Sequence, residues 1–479
     1  MNPGEPRRSS GRASGGASGG SSGRAPAGPS PRRIAFDVVH AVARDDAYAN
    51  LLLPTRIRRA RLTGSDAGFA TELTYGTLRS RGLYDAVIAR AAGRAIDRID
   101  PLALDVLRLG AHQLLGMETP PHAAVDESVR LARQVGAPRA AGFVNAVLRR
   151  VGERSLDEWQ TLLTEGVSSV RGILAVRHAH PEWVVDALAD ALAAEGRGAE
   201  LDALLAADND PPRVTLVALP GLAEPLAADD PSRTRYSPLG VRSRSGDPAA
   251  DPEVTSGVRR VQDEGSQLAA LALSRARPAT PGERWLDLCA GPGGKAALLA
   301  AEARAAGAQL VANEAVPQRA ELVRRALAPV APEVEVRAGD GRTIGDTEPG
   351  AFDRILVDAP CTGLGALRRR PEARWRKSAD DVAPLAALQR ELLTAALDAV
   401  APGGLVAYVT CSPHQDETRA VVDAVLASRS DATALDTPAI LSRIVREPLD
   451  LGPGTAAQLW PHRHGTDAMF IQLIERAAH

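Results

Sequence analysis

From about residue 260 onward, the sequence alternates between apolar strands, turns and helices. This repeat limits the possible folds of the chain more than any other feature. The apolar runs are Trp285–Leu288, Leu310–Glu314, Ile355–Asp358 and Leu405–Val409. The first run is followed by a glycine-rich turn over 289–295 and a helical stretch over 296–306. The last two runs are nearly continuous, which is typical of parallel strands buried on both faces. Strands that alternate with helices predict an α/β doubly wound sheet over residues 261–479.

The chain before this repeat has a different character. Residues 31–152 show apolar residues at helical spacing and no alternating strand pattern, which predicts an all-α bundle. Residues 153–260 continue as helices and then turn to short strands and Pro-, Ser- and Gly-rich loops, which predicts a helical linker with a small α+β part. Residues 1–30 contain Gly, Ser, Pro and Arg with almost no apolar residues, so we expect a disordered basic tail. That tail is either a phosphate-binding arm or a solvated segment.

Composition narrows the class of protein. The chain has 479 residues, of which 44% are hydrophobic and 24% charged, values typical of soluble globular proteins with several domains. No apolar run is long enough to cross a bilayer, and the first residues lack the apolar segment of a signal peptide, so we expect a cytoplasmic protein without a membrane partner. The cysteines are Cys289, Cys361 and Cys411. Their number and spacing predict neither a disulfide scaffold nor a metal site.

Distinctive polar residues follow the apolar runs at the places where strands should end. The turn over 289–295 brings glycines and a helix start to one edge of the sheet, where ligands of such sheets bind. Glu314 ends the second run, where an acid suits ribose hydroxyls, and Asp340 lies where it could meet an adenine amino group. Each acid alone is better explained as a helix cap or a loop carboxylate, but together these features favour an adenosyl ligand. Cys361 and Cys411 follow two later runs, which a purely structural thiol explains poorly.

The motifs of this sequence resemble those of a known family. Residues 261–479 resemble the RNA (cytosine-5)-methyltransferases, and 31–479 resemble their RsmB (Sun/Fmu) branch, which methylates 16S ribosomal RNA. The motifs that carry the resemblance are Gln262–Gln267, Cys289–Lys295, Asp358–Gly365, Arg370–Glu372 with Trp375, Thr410–Ser412, Pro461–His462 and Asp467–Phe470. In the helical block, Tyr75–Arg79 and Phe143–Arg150 resemble the antitermination factor NusB. Departures are Gly291 in place of an alanine, Thr362 in place of a serine, and Pro413-His414 after the second thiol motif.

The resemblance implies a Rossmann-like methyltransferase domain, S-adenosylmethionine as cofactor, a NusB-like RNA-binding domain over 31–152, and RNA-binding functions for the part over 153–260. The cofactor would contact Cys289, Ala290, Gly291, Pro292, Gly293, Gly294, Lys295, Glu314, Asp340 and Asp358. Cys411 would be the nucleophile that adds to carbon 6 of cytosine, and Cys361 would assist its release. Asp358 would hydrogen-bond the cytosine edge, and Lys295 would orient Asp358 or the base. We expect a monomer that binds RNA, most specifically 16S rRNA, and not DNA.

Several alternatives stay open at this level. A tRNA (cytosine-5)-methyltransferase or a DNA methyltransferase would use the same cofactor, although the Thr-Cys-Ser motif favours RNA. A non-catalytic antitermination protein would need only the helical block. An arginine-rich stretch near Cys361 favours a phosphate clamp over a solvated surface. Its members are Arg368, Arg369, Arg370, Arg374 and Arg376.

Overall fold

The computed structural model describes residues 29–45, 47–117, 119–224, 226–244, 248 and 251–478. The tail predicted over residues 1–30 lies almost wholly outside these residues. The amino-terminal helices are α1 Pro31–Arg44, α2 Ala49–Ala60, α3 Gly64–Arg79, α4 Arg81–Ala92, α5 Pro101–Leu115, α6 Pro121–Gln134 and α7 Ala141–Val151. They share one apolar core, which confirms the predicted all-α block. Both NusB-like motifs lie in helices of this block, in α3 and α7.

The next segment connects the helical block to the rest of the chain. Its helices are α8 Leu156–Thr164, α9 Val170–Arg177, α10 Glu182–Ala194 and α11 Leu201–Ala207. Trp159 of α8 is buried in the core of the amino-terminal helices. Helices α9, α10 and α11 instead share a core with Leu364, Leu367 and Trp460 from the carboxyl-terminal part. The segment therefore packs on both parts of the molecule.

A small antiparallel sheet follows these helices. It contains β1 Thr215–Ala218, β2 Gly240–Arg242 and β3 Arg259–Val261, in the order β2-β1-β3, with the short helix α12 Pro252–Thr255 between the last two strands. The short strands predicted after the helices of residues 153–260 are thus present. The boundaries at residues 30, 152 and 260 stay predictions.

The carboxyl-terminal part is built around an eight-stranded sheet. Its strands are β4 Arg284–Asp287, β5 Gln309–Asn313, β6 Glu335–Arg337, β7 Phe352–Asp358, β8 Val400–Thr410, β9 Ala432–Ala434, β10 Ala457–Gln458 and β11 Phe470–Arg476. Its helices are α13 Glu264–Ser274, α14 Gly294–Ala306, α15 Pro317–Leu327, α16 Ile344–Thr347, α17 Ala373–Arg376, α18 Val382–Ala399, α19 Arg419–Ala427, α20 Thr437–Ser442 and α21 Pro461–His464.

The strand order explains where a ligand can bind. The main path is β10-β11-β8-β7-β4-β5-β6, with β9 paired to β11, and strands β6, β5, β4, β7 and β8 are parallel. The chain proceeds from β4 outward to β6 and then returns to β7 on the other side of β4. This reversal opens a crevice at the carboxyl ends of the strands, next to β4 and β7. The α/β doubly wound sheet is thereby confirmed. Within the described residues, no helix has both the length and the apolar character that a membrane span requires.

Candidate active site

The glycine-rich turn lies at the carboxyl end of β4 and leads into α14. Gly293 precedes that helix with φ +107°, a left-handed conformation that favours glycine. A Cβ atom at Gly293 would lie 2.5 Å from the Cβ of Ala326, so α15 can pack here only against a glycine. At Gly294 a Cβ atom would meet nothing within 4 Å. The first turn of α14 is therefore open to a ligand, as a cofactor-binding turn requires.

Glu314 directly follows β5 and faces the glycine-rich turn. Its carboxylate is buried and accepts hydrogen bonds from the backbone N–H groups of Gly291 and Val316, each at 3.0 Å. A Cβ atom at Gly291 would lie 2.2 Å from Glu314 Oε2, so the glycine that departs from the family pattern permits this approach. A carboxylate has about four lone-pair sites, so Glu314 retains acceptor capacity for ribose hydroxyls. The free acceptor sites of the Glu314 carboxylate therefore fit the ribose of an adenosyl group.

Asp340 follows β6 at the same edge of the sheet. Its carboxylate accepts a hydrogen bond from the backbone N–H of Arg342 at 3.0 Å. It also pairs with the Arg342 guanidinium at 2.6 Å. The side chain is 45% exposed. Asn313 joins the two loops beside it, because its amide donates to the carbonyls of Leu288 and Gly339. Sequence reasoning missed this clamp, although Asn313 is adjacent to Glu314.

Lys295 and Asp358 form a half-buried ion pair between the glycine turn and β7. Lys295 Nζ donates to Asp358 Oδ2 at 2.9 Å. Burial alone would lower the pKa of Lys295, but the charge and hydrogen bond of Asp358 raise it above its usual value. Asp287, at the end of β4, is also buried, and burial together with the charge of Asp358 raises its pKa to about 8. The site thus carries a fixed positive charge at Lys295.

Cys361 and Cys411 meet at the carboxyl ends of β7 and β8. Their sulfur atoms lie 3.5 Å apart. The hydrogen bond with Cys361, with the charges of Lys295 and Arg370, lowers the pKa of the Cys411 thiol against the effect of burial. The same hydrogen bond and burial raise the pKa of Cys361 well above its usual value. The pair therefore favours a thiolate at Cys411 and a neutral thiol at Cys361.

Glu417, which sequence reasoning missed, joins the two thiol-bearing loops. Its buried carboxylate accepts from the backbone N–H of Thr362 at 2.8 Å, from the Thr362 hydroxyl, and from the Gln389 amide at 3.2 Å. The Thr362 hydroxyl also lies 3.0 Å from the Ser412 hydroxyl. Because Thr362 and Ser412 each follow a thiol directly, this network fixes the separation of the two sulfur atoms. An acid six residues after Cys411 matches no motif, so no signal in the sequence indicated it.

Replacement of Glu417 by alanine should lower the free energy of unfolding by about 2 kcal/mol, because buried donors of Thr362 and Gln389 lose their acceptor. Any reaction that uses both thiols should slow as well, since they lose their fixed separation. Glu417→Gln is the matched control, because it keeps one acceptor oxygen and should lie between the wild type and Glu417→Ala. Denaturant melts and initial rates measure the two effects. Wild-type stability in Glu417→Ala would refute this function of the network.

The arginine-rich stretch is not the phosphate clamp that we predicted. Four of its members are buried or half-buried and bind acceptors within the protein. Arg368 donates to the Gly465 carbonyl, and Arg369 pairs with Asp263 and Asp467. Arg374 donates to carbonyls of three segments and to Asn209, and Arg376 donates to the carbonyls of Val42 and Ala47. Of the five arginines, only Arg370 is exposed. Arg374 and Arg376 therefore join the part with the eight-stranded sheet to the helical block and the linker, because buried guanidinium groups need fixed acceptors. Arg368 and Arg369 connect loops within the part with the sheet.

The fold and this site define a class of protein. A doubly wound sheet with a glycine turn and strand-end acids suited to an adenosyl group is the architecture of S-adenosylmethionine-dependent methyltransferases. Within the described ranges, no group of three or more His, Cys, Asp or Glu side chains is placed to hold a metal ion.

Comparison with known proteins gives the family. Residues 276–475 match the family described as 16S rRNA methyltransferase RsmB/F, and residues 29–153 match the NusB family. The chain is 49% identical to a protein of Mycobacterium tuberculosis named as a methyltransferase, over 95% of this chain and 98% of that protein. It is 33% identical to the ribosomal RNA small subunit methyltransferase B of Pseudomonas syringae pv. tomato, over 94% and 98% of the two chains. The chain therefore belongs to the RsmB/F family of RNA methyltransferases.

Solved structures support the fold. The crystal structure of PH0851 superposes with a TM-score of 0.76 at 20% identity and covers 93% of this chain and 99% of that chain. A methyltransferase homolog protein from Pyrococcus horikoshii gives a TM-score of 0.50 at 22% identity, over 65% of this chain and all of that one. These structures confirm the methyltransferase fold, and the family matches confirm the NusB-like helical block and S-adenosylmethionine as the cofactor.

Proposed function

We propose that this protein transfers a methyl group from S-adenosylmethionine to carbon 5 of a cytosine in 16S rRNA, with Cys411 as covalent nucleophile. The observation that carries the proposal is the 3.5 Å approach of Cys361 Sγ and Cys411 Sγ at the carboxyl edge of the sheet, beside the pair of Lys295 and Asp358. Two thiols at one ligand-binding edge suit covalent addition to a pyrimidine and its reversal.

Cys411 performs the first step in this proposal. Carbon 5 of cytosine is a poor nucleophile, and a bond from Cys411 Sγ to carbon 6 makes it electron-rich. S-adenosylmethionine, when bound, supplies an electrophilic methyl group on its sulfonium. Glu314 and the glycine turn hold the adenosyl part, with Asp340 at the adenine end. The lowered pKa of Cys411 supports its assignment as nucleophile, because only the thiolate attacks.

Cys361 and Asp358 complete the cycle. Asp358 lies at the end of β7, where it would hydrogen-bond the cytosine edge, and Lys295 orients it through their 2.9 Å contact. After methylation, a water molecule takes the proton from carbon 5, the electron pair of that C–H bond forms the double bond between carbons 5 and 6, and the bond from carbon 6 to Cys411 breaks with its electron pair on sulfur. Cys361, held neutral beside Cys411, assists that release. The target base must be unstacked, since a helical stack covers the faces of the ring that these groups approach.

Lys295→Met should move the rising limb of the pH profile of kcat/KM to higher pH. Lys295 lowers the pKa of Cys411, so loss of its charge raises that pKa and lowers the thiolate fraction at neutral pH. The matched control is Lys377→Met, because Lys377 is the only other lysine and pairs with Asp381 at 3.7 Å. Its profile should coincide with that of the wild type. An unchanged midpoint in Lys295→Met would contradict the electrostatic contribution of Lys295.

The choice of substrate follows from the family and the helical block. The 16S assignment rests on membership of the RsmB/F family and on the NusB-like helices, which we infer bind RNA. A tRNA substrate is the second candidate within the same chemistry. We further propose that the protein acts as a cytoplasmic monomer and does not methylate DNA.

Bisulfite sequencing of total RNA tests this function. A strain that lacks the gene should show one cytosine of 16S rRNA that becomes convertible, and expression of the wild-type protein should restore its protection. A change in tRNA instead would support the second candidate. Unchanged cytosine protection in every RNA would overturn the cytosine chemistry.

A further inference from the structure

We propose that the outward face of α2 guides the single-stranded RNA next to the target cytosine, with Tyr48 as a stacking platform for a flanking base. We call this face the α2 stripe, and its members are Tyr48, Leu51, Thr55 and Arg58, with Arg59 at its side. This inference rests on the proposed function and adds the path that the substrate follows.

The α2 stripe exposes apolar and cationic groups in an unusual combination. Six large hydrophobic side chains are markedly exposed in the described part of the chain, and Tyr48 and Leu51 are two of them, at 50% and 65%. Tyr48 is the single aromatic residue of the six. Residues 47–61 contain no Asp or Glu, and the arginines Arg58 and Arg59 are exposed. A solvated helix face would not usually present an aromatic ring and a leucine one turn apart.

Spacing places these side chains on one line. Tyr48 immediately precedes α2, and Leu51, Thr55 and Arg58 follow it at intervals of three, four and three residues, which is the repeat of one helical face. Leu53 lies on the opposite face and is buried in the core of the helical block. The guanidinium of Arg58 lies 3.4 Å from the Thr55 hydroxyl. The stripe therefore runs from an aromatic end to a cationic end.

The aromatic end of the α2 stripe lies against the arginine-rich stretch. The guanidinium carbons of Arg376 and Arg370 lie 4.9 and 6.0 Å from the centre of the Tyr48 ring. Arg376 also donates to the carbonyls of Val42 and Ala47, so the segment before Tyr48 is anchored to the end of α17. Arg370 is close enough to Cys411 to lower the pKa of its thiol. Arg370 thus faces the Tyr48 ring and acts electrostatically on the Cys411 thiol.

Single-stranded RNA fits this combination better than a protein partner. Every base has a π face that stacks on an aromatic ring or on a guanidinium plane, and the phosphates that follow meet the arginines of α2. A protein partner would need acidic side chains to pair with Arg58 and Arg59. It would also need a further acidic side chain to pair with the exposed Arg370. A base that stacks at Tyr48 would hold the strand while the target cytosine enters the crevice between β4 and β7.

Binding measurements test the platform. The probes are a 16S rRNA transcript and a short single-stranded oligonucleotide that contains the target cytosine, both measured with S-adenosylhomocysteine present. Tyr48→Ala should weaken binding and raise KM about tenfold, as loss of one stacked base does. Tyr48→Phe should behave as the wild type, and Tyr48→Leu, which keeps an apolar group without the ring, should resemble Tyr48→Ala. Wild-type affinity in Tyr48→Ala, or full rescue by leucine, would overturn the stacking assignment.

Salt dependence tests the cationic end. Arg58→Gln with Arg59→Gln should reduce the slope of log affinity against log salt by about 0.7 for each phosphate that the protein no longer neutralises. The matched control is Arg133→Gln with Arg139→Gln, which removes the same charge from exposed positions at α6 and after it. Equal slopes in both double variants would overturn the path along α2. Unchanged binding to naked RNA with weaker binding to assembling ribosomal particles would instead assign the stripe to protein docking.

The two proposals fail separately. If the wild-type protein does not methylate cytosine in 16S rRNA, the proposed function is wrong, whatever the α2 variants do. If it does and Tyr48→Ala retains the wild-type KM, only the α2 stripe is refuted. Thermal melts and affinity for S-adenosylhomocysteine identify any variant that has lost its fold, and Tyr48→Phe supplies a folded variant with the ring retained.

Discussion

Replacement of Cys411 by alanine should reduce methyl transfer by at least about 10,000-fold, the scale of loss seen when a covalent nucleophile is removed. Without the sulfur, carbon 6 is not attacked and carbon 5 stays a poor nucleophile. The alanine leaves Glu314 and the glycine turn intact, so affinity for S-adenosylhomocysteine should match that of the wild type. Transfer of a radiolabelled methyl group to a 16S rRNA transcript measures the loss. Activity above about one per cent in Cys411→Ala would exclude Cys411 as the nucleophile.

Replacement of Arg374 by methionine should lower the free energy of unfolding by about 3 to 5 kcal/mol, the cost of disrupting a buried charged network. Arg374 is fully buried, and its guanidinium donates to the carbonyls of Arg79, Ala179 and Asp208 and to the Asn209 amide oxygen. These acceptors lie in the helical block and the linker helices. Without the guanidinium, the packing between those helices and the catalytic part should loosen.

The matched control for that experiment is Arg370→Met, four residues away. Arg370 is exposed, so its loss should change stability by less than about 0.5 kcal/mol. RNA binding should weaken in Arg370→Met, whereas the salt dependence of binding should be unchanged in Arg374→Met once folding is accounted for. Equal destabilisation of both variants in denaturant melts would contradict the division of the arginines into structural and exposed members.

Much of the fold could be predicted because its signals are local. Apolar runs of four to five residues located β4, β5, β7 and β8, and the glycine turn located the start of α14 to within two residues, at Gly294 instead of Ala296. Parallel strands meet at one edge of a sheet, so residues that follow different strands were expected to converge there. The structure brings Lys295, Asp358, Cys361 and Cys411 together at that edge.

The rest depended on interactions between distant parts of the chain. The sequence shows five arginines in nine positions, but not that the carbonyls of Val42, Arg79 and Ala179 are their acceptors. Burial decides whether such a charge binds phosphate or joins domains, and burial is a property of the packed molecule. Glu417 was missed for the same reason, since its partner Thr362 lies 55 residues away. Spacing alone could not indicate either function.

A denaturing gel of the protein with its RNA distinguishes the functions of the two thiols. Cys361→Ala, incubated with a 16S rRNA transcript and S-adenosylmethionine, should accumulate a covalent protein–RNA band, because Cys411 still attacks while release is slowed. Omission of the cofactor, or the additional change Cys411→Ala, should remove the band. The opposite pattern, with an adduct in Cys411→Ala and none in Cys361→Ala, would reverse the functions of the two thiols and contradict this account.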